Sequence, residues 1–131
     1  MNAVDTNVVV RFLIHDDAKQ SDAADRLFLT EDIWLAKTVL LETAWVLGSF
    51  YGFDRDAIRH SFLGLLGREN IHAEAEAEVA TALALVESGV DVADALHLVS
   101  RPPGAPFVSF DQALVRRAHR AGVARVSTPP I

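Results

Sequence analysis

Apolar residues repeat along the chain with two spacings, and the alternation of these spacings indicates the fold class. Short apolar runs bounded by polar or breaker residues predict five strands, at about 2–5, 32–36, 70–73, 106–110 and 124–127. Amphipathic segments between them predict seven helices, at about 6–15, 18–29, 38–50, 54–67, 74–87, 91–100 and 111–121. Strands separated by one or two helices are typical of an α/β protein with a mostly parallel sheet covered on both faces.

Capping residues define the predicted helix starts. Asp17, with Gln20 three residues later, has the pattern of a capping box. Thr38 is the expected N-cap of the third helix. The alternating acids Glu74, Glu76 and Glu78 are interpreted as a solvated face near a helix start.

Length and composition restrict the class of protein. The 131 residues fit one domain, spanning 1–131, and a 50% apolar content argues against disorder. Cysteine is absent, which excludes disulfides, thiolate metal sites and cysteine nucleophiles. We see neither a signal-peptide pattern nor an apolar run of about 18 residues, so we expect a soluble, cytoplasmic protein without a membrane partner.

The net charge of −6 is unevenly distributed. Residues 1–94 hold 7 Lys and Arg against 17 Asp and Glu, whereas residues 95–131 hold 5 Arg and one Asp. An acidic body does not suit passive nucleic-acid binding, for which basic surfaces are usual. It suits a protein that reaches phosphates through a metal ion beside a small basic patch.

Four acidic residues fall where predicted strands and helices meet. Asp5 ends the first strand, Asp111 follows the fourth, Glu42 lies about one turn into the third helix, and Asp94 lies in the first turn of the sixth. Parallel strands point the same way, and ligands of open α/β sheets bind beyond their carboxyl ends, where the strand order reverses. We therefore expect these four side chains to meet at one edge of the sheet.

Helix capping is the alternative explanation for most of these acids. Asp5, Asp91 and Asp111 are each well placed as N-caps, and Asp91 with Asp94 has a capping-box spacing. Glu42 is different, because it lies within an apolar run and is expected to be at least half-buried without a nearby partner.

A divalent cation would relieve the repulsion within such a cluster. Crowded carboxylates raise one another's pKa, and a cation offsets that cost. Oxygen-only ligands favour Mg²⁺ or Mn²⁺. A site of this kind suits hydrolysis of a phosphodiester by a metal-activated water.

Four segments together resemble the motifs of PIN-domain proteins, in particular VapC-type toxins of toxin–antitoxin pairs. They are VDTNVVVRFL at 4–13, LLETAWVL at 40–47, DVADALHL at 91–98 and VSFDQAL at 108–114. The resemblance covers essentially the whole chain. It implies a three-layer α/β/α fold with strand order 3-2-1-4-5 and a metal-dependent endoribonuclease acting on RNA.

The resemblance also implies roles for individual residues. Asp5 and Asp94 would be the main metal ligands, Asp111 would complete the site, and Glu42 would bind the metal through water or orient the nucleophile. Residues implied to support these acids are Thr6, Asn7, Ser109 and Asp91. Homodimers and a cognate antitoxin whose tail blocks the site are the implied partners.

Several residues near these motifs remain open between functional and structural roles. His97, one turn after Asp94, is a ligand, a general base or neither. Arg116, Arg117 and Arg120 share one helix face, which either contacts RNA phosphates or is simply solvated. The aromatic residues of the segment 45–53, together with Trp34, stack bases, fill the core or form a partner surface.

Two other functions are compatible with an acidic α/β protein. A receiver-like phosphoacceptor domain also places carboxylates and Mg²⁺ at a switch point, but it needs an aspartate ending its third strand and a lysine after its fifth. Neither is placed here. A non-catalytic nucleic-acid-binding or regulatory module is the second alternative.

Overall fold

The computed structural model describes all residues, 1–131, and contains the twelve elements that the sequence pattern predicts. In chain order they are β1 (Asn2–Ala3), α1 (Thr6–Leu13), α2 (Ala18–Thr30), β2 (Ile33–Leu35), α3 (Lys37–Ser49), α4 (Arg55–Leu66), β3 (Ile71–Ala73), α5 (Glu76–Glu87), α6 (Val92–Val99), β4 (Phe107–Val108), α7 (Gln112–Arg120) and β5 (Val126–Ser127). The strands are short, with two or three residues each. Helices therefore make up most of this α/β protein.

The five strands form two parallel sheets. β2 lies between β1 and β3, with Ala3 opposite Trp34 and Trp34 opposite His72. β4 pairs with β5 in a separate two-stranded sheet. The predicted order 3-2-1-4-5 is thus present in its 3-2-1 and 4-5 parts, but β1 and β4 are not hydrogen-bonded to each other and no continuous five-stranded sheet is shown.

Aspartate side chains cap four of the helices. Asp5, Asp17, Asp54 and Asp111 each accept a hydrogen bond from the backbone N–H three residues later. These bonds satisfy donors that have no partner within the helix. Gln20 does not complete the predicted capping box, because its side chain accepts a bond from Arg11 Nε at 2.7 Å instead.

Two further predictions at helix starts are wrong. Helix α3 begins at Lys37 after Ala36, which provides no side-chain cap, so Thr38 lies inside the helix. The cap comes from Glu74, whose Oε1 accepts a bond from the Lys37 N–H at 3.0 Å. Glu74 and Glu78 are therefore not a solvated face, because Glu78 Oε1 also accepts a bond from Lys37 Nζ at 3.1 Å.

One hydrophobic core of 24 buried residues joins helices and strands from both ends of the chain. Val9, Leu40 and Ala95 are fully buried in it, and Leu114, Ala118 and Val126 bring α7 and β5 into the same cluster. Helix α3 packs on α1, α4 and α6, so it lies in the middle of the helical contacts. None of the helices combines the length and apolar character that crossing a membrane would require.

Candidate active site

Asp5 and Asp111 lie in the same local setting, each between the end of a strand and the start of a helix. Asp5 follows β1 and caps α1 through Val8 N–H at 3.2 Å. Asp111 follows β4 and caps α7 through Leu114 N–H at 3.1 Å. In both cases Oδ1 makes the cap, so Oδ2 is left free of that bond and available to a ligand.

Glu42 is exposed, which overturns the expectation that it would be half-buried. The apolar run around it belongs to a helix, and the residues of that run turned to the core are Leu40, Ala44 and Leu47. At 3.6 residues per turn, positions 42 and 45 fall on the opposite side from these three. The burial of sequence neighbours therefore does not extend to Glu42.

A cavity of about 860 Å³ brings Asp5 and Glu42 to one surface. The buried side chain of Thr6, which follows Asp5 in sequence, also lines this cavity. Asp91 and His97 of the α6 segment line it as well. Three segments that are far apart in sequence thus contribute acidic groups to one concave site.

Asp94 lies in a second group of acids, next to the first. It is half-buried, and burial raises the pKa of its carboxyl, with the negative charges of Asp91 and Asp111 raising it further. His97 and Arg117 act in the opposite direction and lower this pKa. Asp91 and Asp111 are therefore close enough to Asp94 to disfavour its ionised form.

The four predicted metal ligands do not form one ready-made cluster. Asp5 and Glu42 line the cavity, whereas Asp94 does not line it and has Asp111 close enough to raise its pKa. No three His, Asp or Glu side chains lie close enough together to hold a metal ion by themselves. The meeting of all four at one ion stays a prediction.

The donor chemistry of this region nevertheless fits a hard divalent cation. The acids supply carboxylate oxygens, and the chain has no thiolate to compete for a softer metal. A half-buried carboxyl whose neighbours are negative is a position where a cation would remove an unfavourable interaction.

The residues expected to support the acids occupy different positions. Ser109 Oγ accepts a hydrogen bond from the Asp111 N–H at 3.0 Å, which fixes the backbone that carries this acid. Asn7 is exposed and lines a smaller cavity of about 540 Å³ that also includes Glu42. Asp91 stands at the N-cap position of α6 but makes no capping bond with its side chain.

Arg55 also lines the cavity, and no pattern in the sequence predicted that it would. It is the first residue of α4 and the only lysine or arginine that lines the cavity. Nothing in the local sequence distinguishes it from Arg59, one turn later, which pairs with Glu87 at 3.0 Å outside the cavity. Only tertiary packing separates the two arginines.

The basic face of α7 is only partly free. Arg117 Nη1 lies 3.7 Å from Asp91 Oδ2, whereas Arg116 and Arg120 are exposed and have no side-chain partner. Arg116 and Arg120 are therefore solvated, whereas Arg117 is directed toward the α6 segment that carries Asp94.

Two aromatic side chains beside the cavity are strongly exposed. Trp45 is 61% exposed and lines the cavity, and Phe50 is 72% exposed. Their rings meet edge to face, with centroids 5.7 Å apart. Phe53 is half-buried in the cavity wall, and Tyr51 donates a hydrogen bond to Asp16 at 2.7 Å. The segment 45–53 thus mixes an exposed pair with packed residues.

Comparison with protein families gives a match over most of the chain. The family model described as PIN domain matches residues 3–120, which include every acid discussed above. No curated protein matches the chain.

Proposed function

The chain belongs to the PIN-domain family, and on that premise we propose that it is a metal-dependent endoribonuclease. Proteins with this domain are generally nucleases, often dependent on a divalent metal, so the chain has a nuclease-type fold. The observation that carries the proposal is the cavity shared by Asp5 and Glu42, next to Asp94 and Asp111. Asp91, which also lines the cavity, acts on the pKa of Asp94, as does Asp111, and this link supports placing the four acids at one site.

In the proposed site, Asp5, Asp94, Asp111 and Glu42 hold Mg²⁺ or Mn²⁺. The bound ion supplies a water of lowered pKa and neutralises charge on the phosphodiester. Asp5 and Asp111 are held by their capping bonds, and Ser109 steadies the backbone of Asp111. Glu42, which is exposed on the cavity wall, orients the attacking water.

The strand order supports this arrangement if the two sheets are halves of one. We place β1 beside β4, in the order 3-2-1-4-5, with helices on both faces as a three-layer α/β/α domain spanning residues 1–131. Asp5 directly follows the β1 region and Asp111 the β4 region, so this order makes the two acids neighbours.

The biological role we propose is that of a VapC-type toxin in a toxin–antitoxin pair, acting on RNA in the cytoplasm. The motif segments noted above are the reason for this narrower assignment. The proposed partners are an antitoxin, whose tail would cover the cavity, and a second copy of the chain. The exposed pair Trp45 and Phe50 gives such a partner an apolar surface beside the acids.

The decisive experiment compares Asp5→Asn with Asp17→Asn. Both aspartates cap a helix through the same kind of bond, but only Asp5 lines the cavity. We expect the wild type and Asp17→Asn to cleave RNA with Mg²⁺ or Mn²⁺, and Asp5→Asn or added EDTA to reduce the rate at least about 100-fold. Equal cleavage by the two variants would overturn the mechanism, because Asn preserves the cap and removes only the charge.

A further inference from the structure

Arg55 is positioned to meet an anion at the acidic cavity. It lines the same cavity as Asp5 and Glu42, and no other lysine or arginine does so. A nuclease of this kind brings a polyanion to a cluster of negative charges, and a cation on the cavity wall reduces the repulsion that remains beside the metal site. Arg55 is the residue placed to do this.

The structure holds the Arg55 side chain in place. Its Nη1 donates a hydrogen bond to Gly89 O at 2.9 Å and lies 3.4 Å from Asp91 Oδ1. The carbonyl of Gly89 belongs to the turn between α5 and α6, so Arg55 joins the start of α4 to the segment that carries Asp94. A guanidinium already oriented in this way loses less conformational entropy when it binds a phosphate.

Asp91 holds a second arginine with its other oxygen. Its Oδ2 lies 3.7 Å from Arg117 Nη1, so the one carboxylate stands between cations from α4 and α7. The side chains of Asp91, Arg55 and Arg117 are 56%, 40% and 42% exposed. Ion pairs this exposed contribute little to stability, so a phosphate can replace the carboxylate at small cost.

We propose that Arg55 binds a phosphate of the RNA backbone at the cavity, and that Asp91 is a positioning residue that holds Arg55 and Arg117 until RNA takes its place. Arginine favours this role because its planar fork matches phosphate geometry. The inference rests on the proposed ribonuclease function and names the groups that receive the substrate. It assigns Asp91 a role as an internal counter-ion, distinct from support of the metal.

The first test measures RNA binding without the metal, so that cleavage does not interfere. A fluorescein-labelled, mixed-sequence single-stranded RNA is titrated in EDTA at 50–200 mM KCl, and anisotropy gives Kd. Arg26→Gln is the matched control, because Arg26 is an exposed arginine of α2 that lines none of the described cavities. Both substitutions change the net charge equally.

We expect Arg55→Gln to raise Kd about tenfold and to reduce the slope of log Kd against log salt by about 0.7, the value for one lost phosphate contact on a single strand. Arg26→Gln should leave the slope unchanged. Identical slopes for the two variants would overturn the assignment of Arg55. A change in folding alone would not alter the slope by one contact, and the melting temperature of each variant checks this.

The second test removes the counter-ion. Asp91→Asn is expected to lower Kd about threefold, because the phosphate no longer competes with a carboxylate for the arginines. Asp56→Asn, which removes an exposed charge next to Arg55 in sequence, is the control and should have a smaller effect. The gain should shrink when Asp91→Asn is combined with Arg55→Gln. A higher Kd for Asp91→Asn would contradict the role of Asp91.

Failure of this inference and failure of the proposed function give different results. If the wild type cleaves RNA with Mn²⁺ but does not bind it in EDTA, or binds with the same slope as Arg55→Gln, the nuclease proposal stands and the role of Arg55 is wrong. If the wild type neither cleaves nor binds RNA, both fail. Binding of an acidic peptide that depends on Arg55, without RNA binding, would assign the cation to a protein partner instead.

Discussion

At the scale of single residues, Asp94 combines two properties that oppose its ionisation. It is half-buried, and it has acidic neighbours in Asp91 and Asp111. Burial and like charges both raise the pKa of a carboxyl, so the ionised form of Asp94 is less favourable in the folded chain than in the unfolded chain. A cation bound beside Asp94 would offset this cost, because an opposite charge favours the ionised carboxyl.

This raised pKa predicts a pH-dependent stability. Above the ordinary value of 3.8, the folded protein binds more protons at Asp94 than the unfolded chain does. The free energy of unfolding therefore falls as the pH rises through the interval between 3.8 and the raised pKa. In metal-free buffer at pH 7 we expect Asp94→Asn to melt at a higher temperature than the wild type.

Thermal melts from pH 3 to pH 8 check this prediction. The advantage of Asp94→Asn should disappear below pH 3.8, where both states of the wild type are protonated. Asp22→Asn, at an exposed position of α2, serves as the control and should melt like the wild type at every pH. A lower melting temperature for Asp94→Asn at pH 7 would contradict this prediction. It would mean that contacts stabilise the ionised carboxylate more than burial and the neighbouring acids destabilise it.

At the scale of elements, nearly all helices and strands could be predicted because their signals are local. Asp17 and Asp111 cap helices where the sequence places them, and the helix predicted over about 54–67 begins after the cap Asp54 and ends at Gly67. The start of α3 could not be predicted, because its cap is supplied by Glu74 from a segment 37 residues away. No local pattern encodes a bond of that kind.

The Glu74 cap predicts a measurable loss of stability. Glu74→Ala removes the acceptor of the Lys37 N–H at the start of α3, and we expect a cost of about 1 kcal/mol. Glu74→Gln keeps an oxygen acceptor and should retain most of that stability. Urea unfolding of the three proteins measures the difference. Equal losses for Ala and Gln would show that charge, not the cap, is what Glu74 contributes.

The candidate site was predictable in its residue types and less so in its geometry. The strand-to-helix positions of Asp5 and Asp111 follow from local patterns, as does the placement of Glu42 on α3. The exposure of Glu42 depends on which side of α3 meets α1, α4 and α6, and the position of Arg55 depends on the packing of α4. Both depend on tertiary packing, which local sequence patterns do not specify.

At the scale of the whole molecule, the acids are divided between two sheets. Asp5 follows the three-stranded sheet, and Asp111 follows the two-stranded one. No ladder of backbone hydrogen bonds joins these sheets, and the contact between them rests on the shared hydrophobic core. A ligand bound by acids from both sheets would add a connection that the backbone does not supply.

Hydrogen exchange tests this connection. We expect Mg²⁺ to slow amide exchange in β4 and β5 more than in α2. Helix α2 is the comparison because it lies between β1 and β2, two strands of the other sheet. In Asp111→Asn the protection of β4 and β5 should be lost. Protection that is equal in all elements, or that persists in Asp111→Asn, would exclude a bridging role for the ion.

The bonds of Lys37 have a practical consequence for labelling. Lys19 and Lys37 are the only lysines, and the ammonium of Lys37 is held by Glu78 and Ser100 with its side chain 18% exposed. Lys19 is exposed on α2 and lines none of the described cavities. Apart from the α-amino group, an amine-reactive dye therefore has one readily accessible attachment point, and it leaves the cavity lined by Asp5 and Glu42 unmodified.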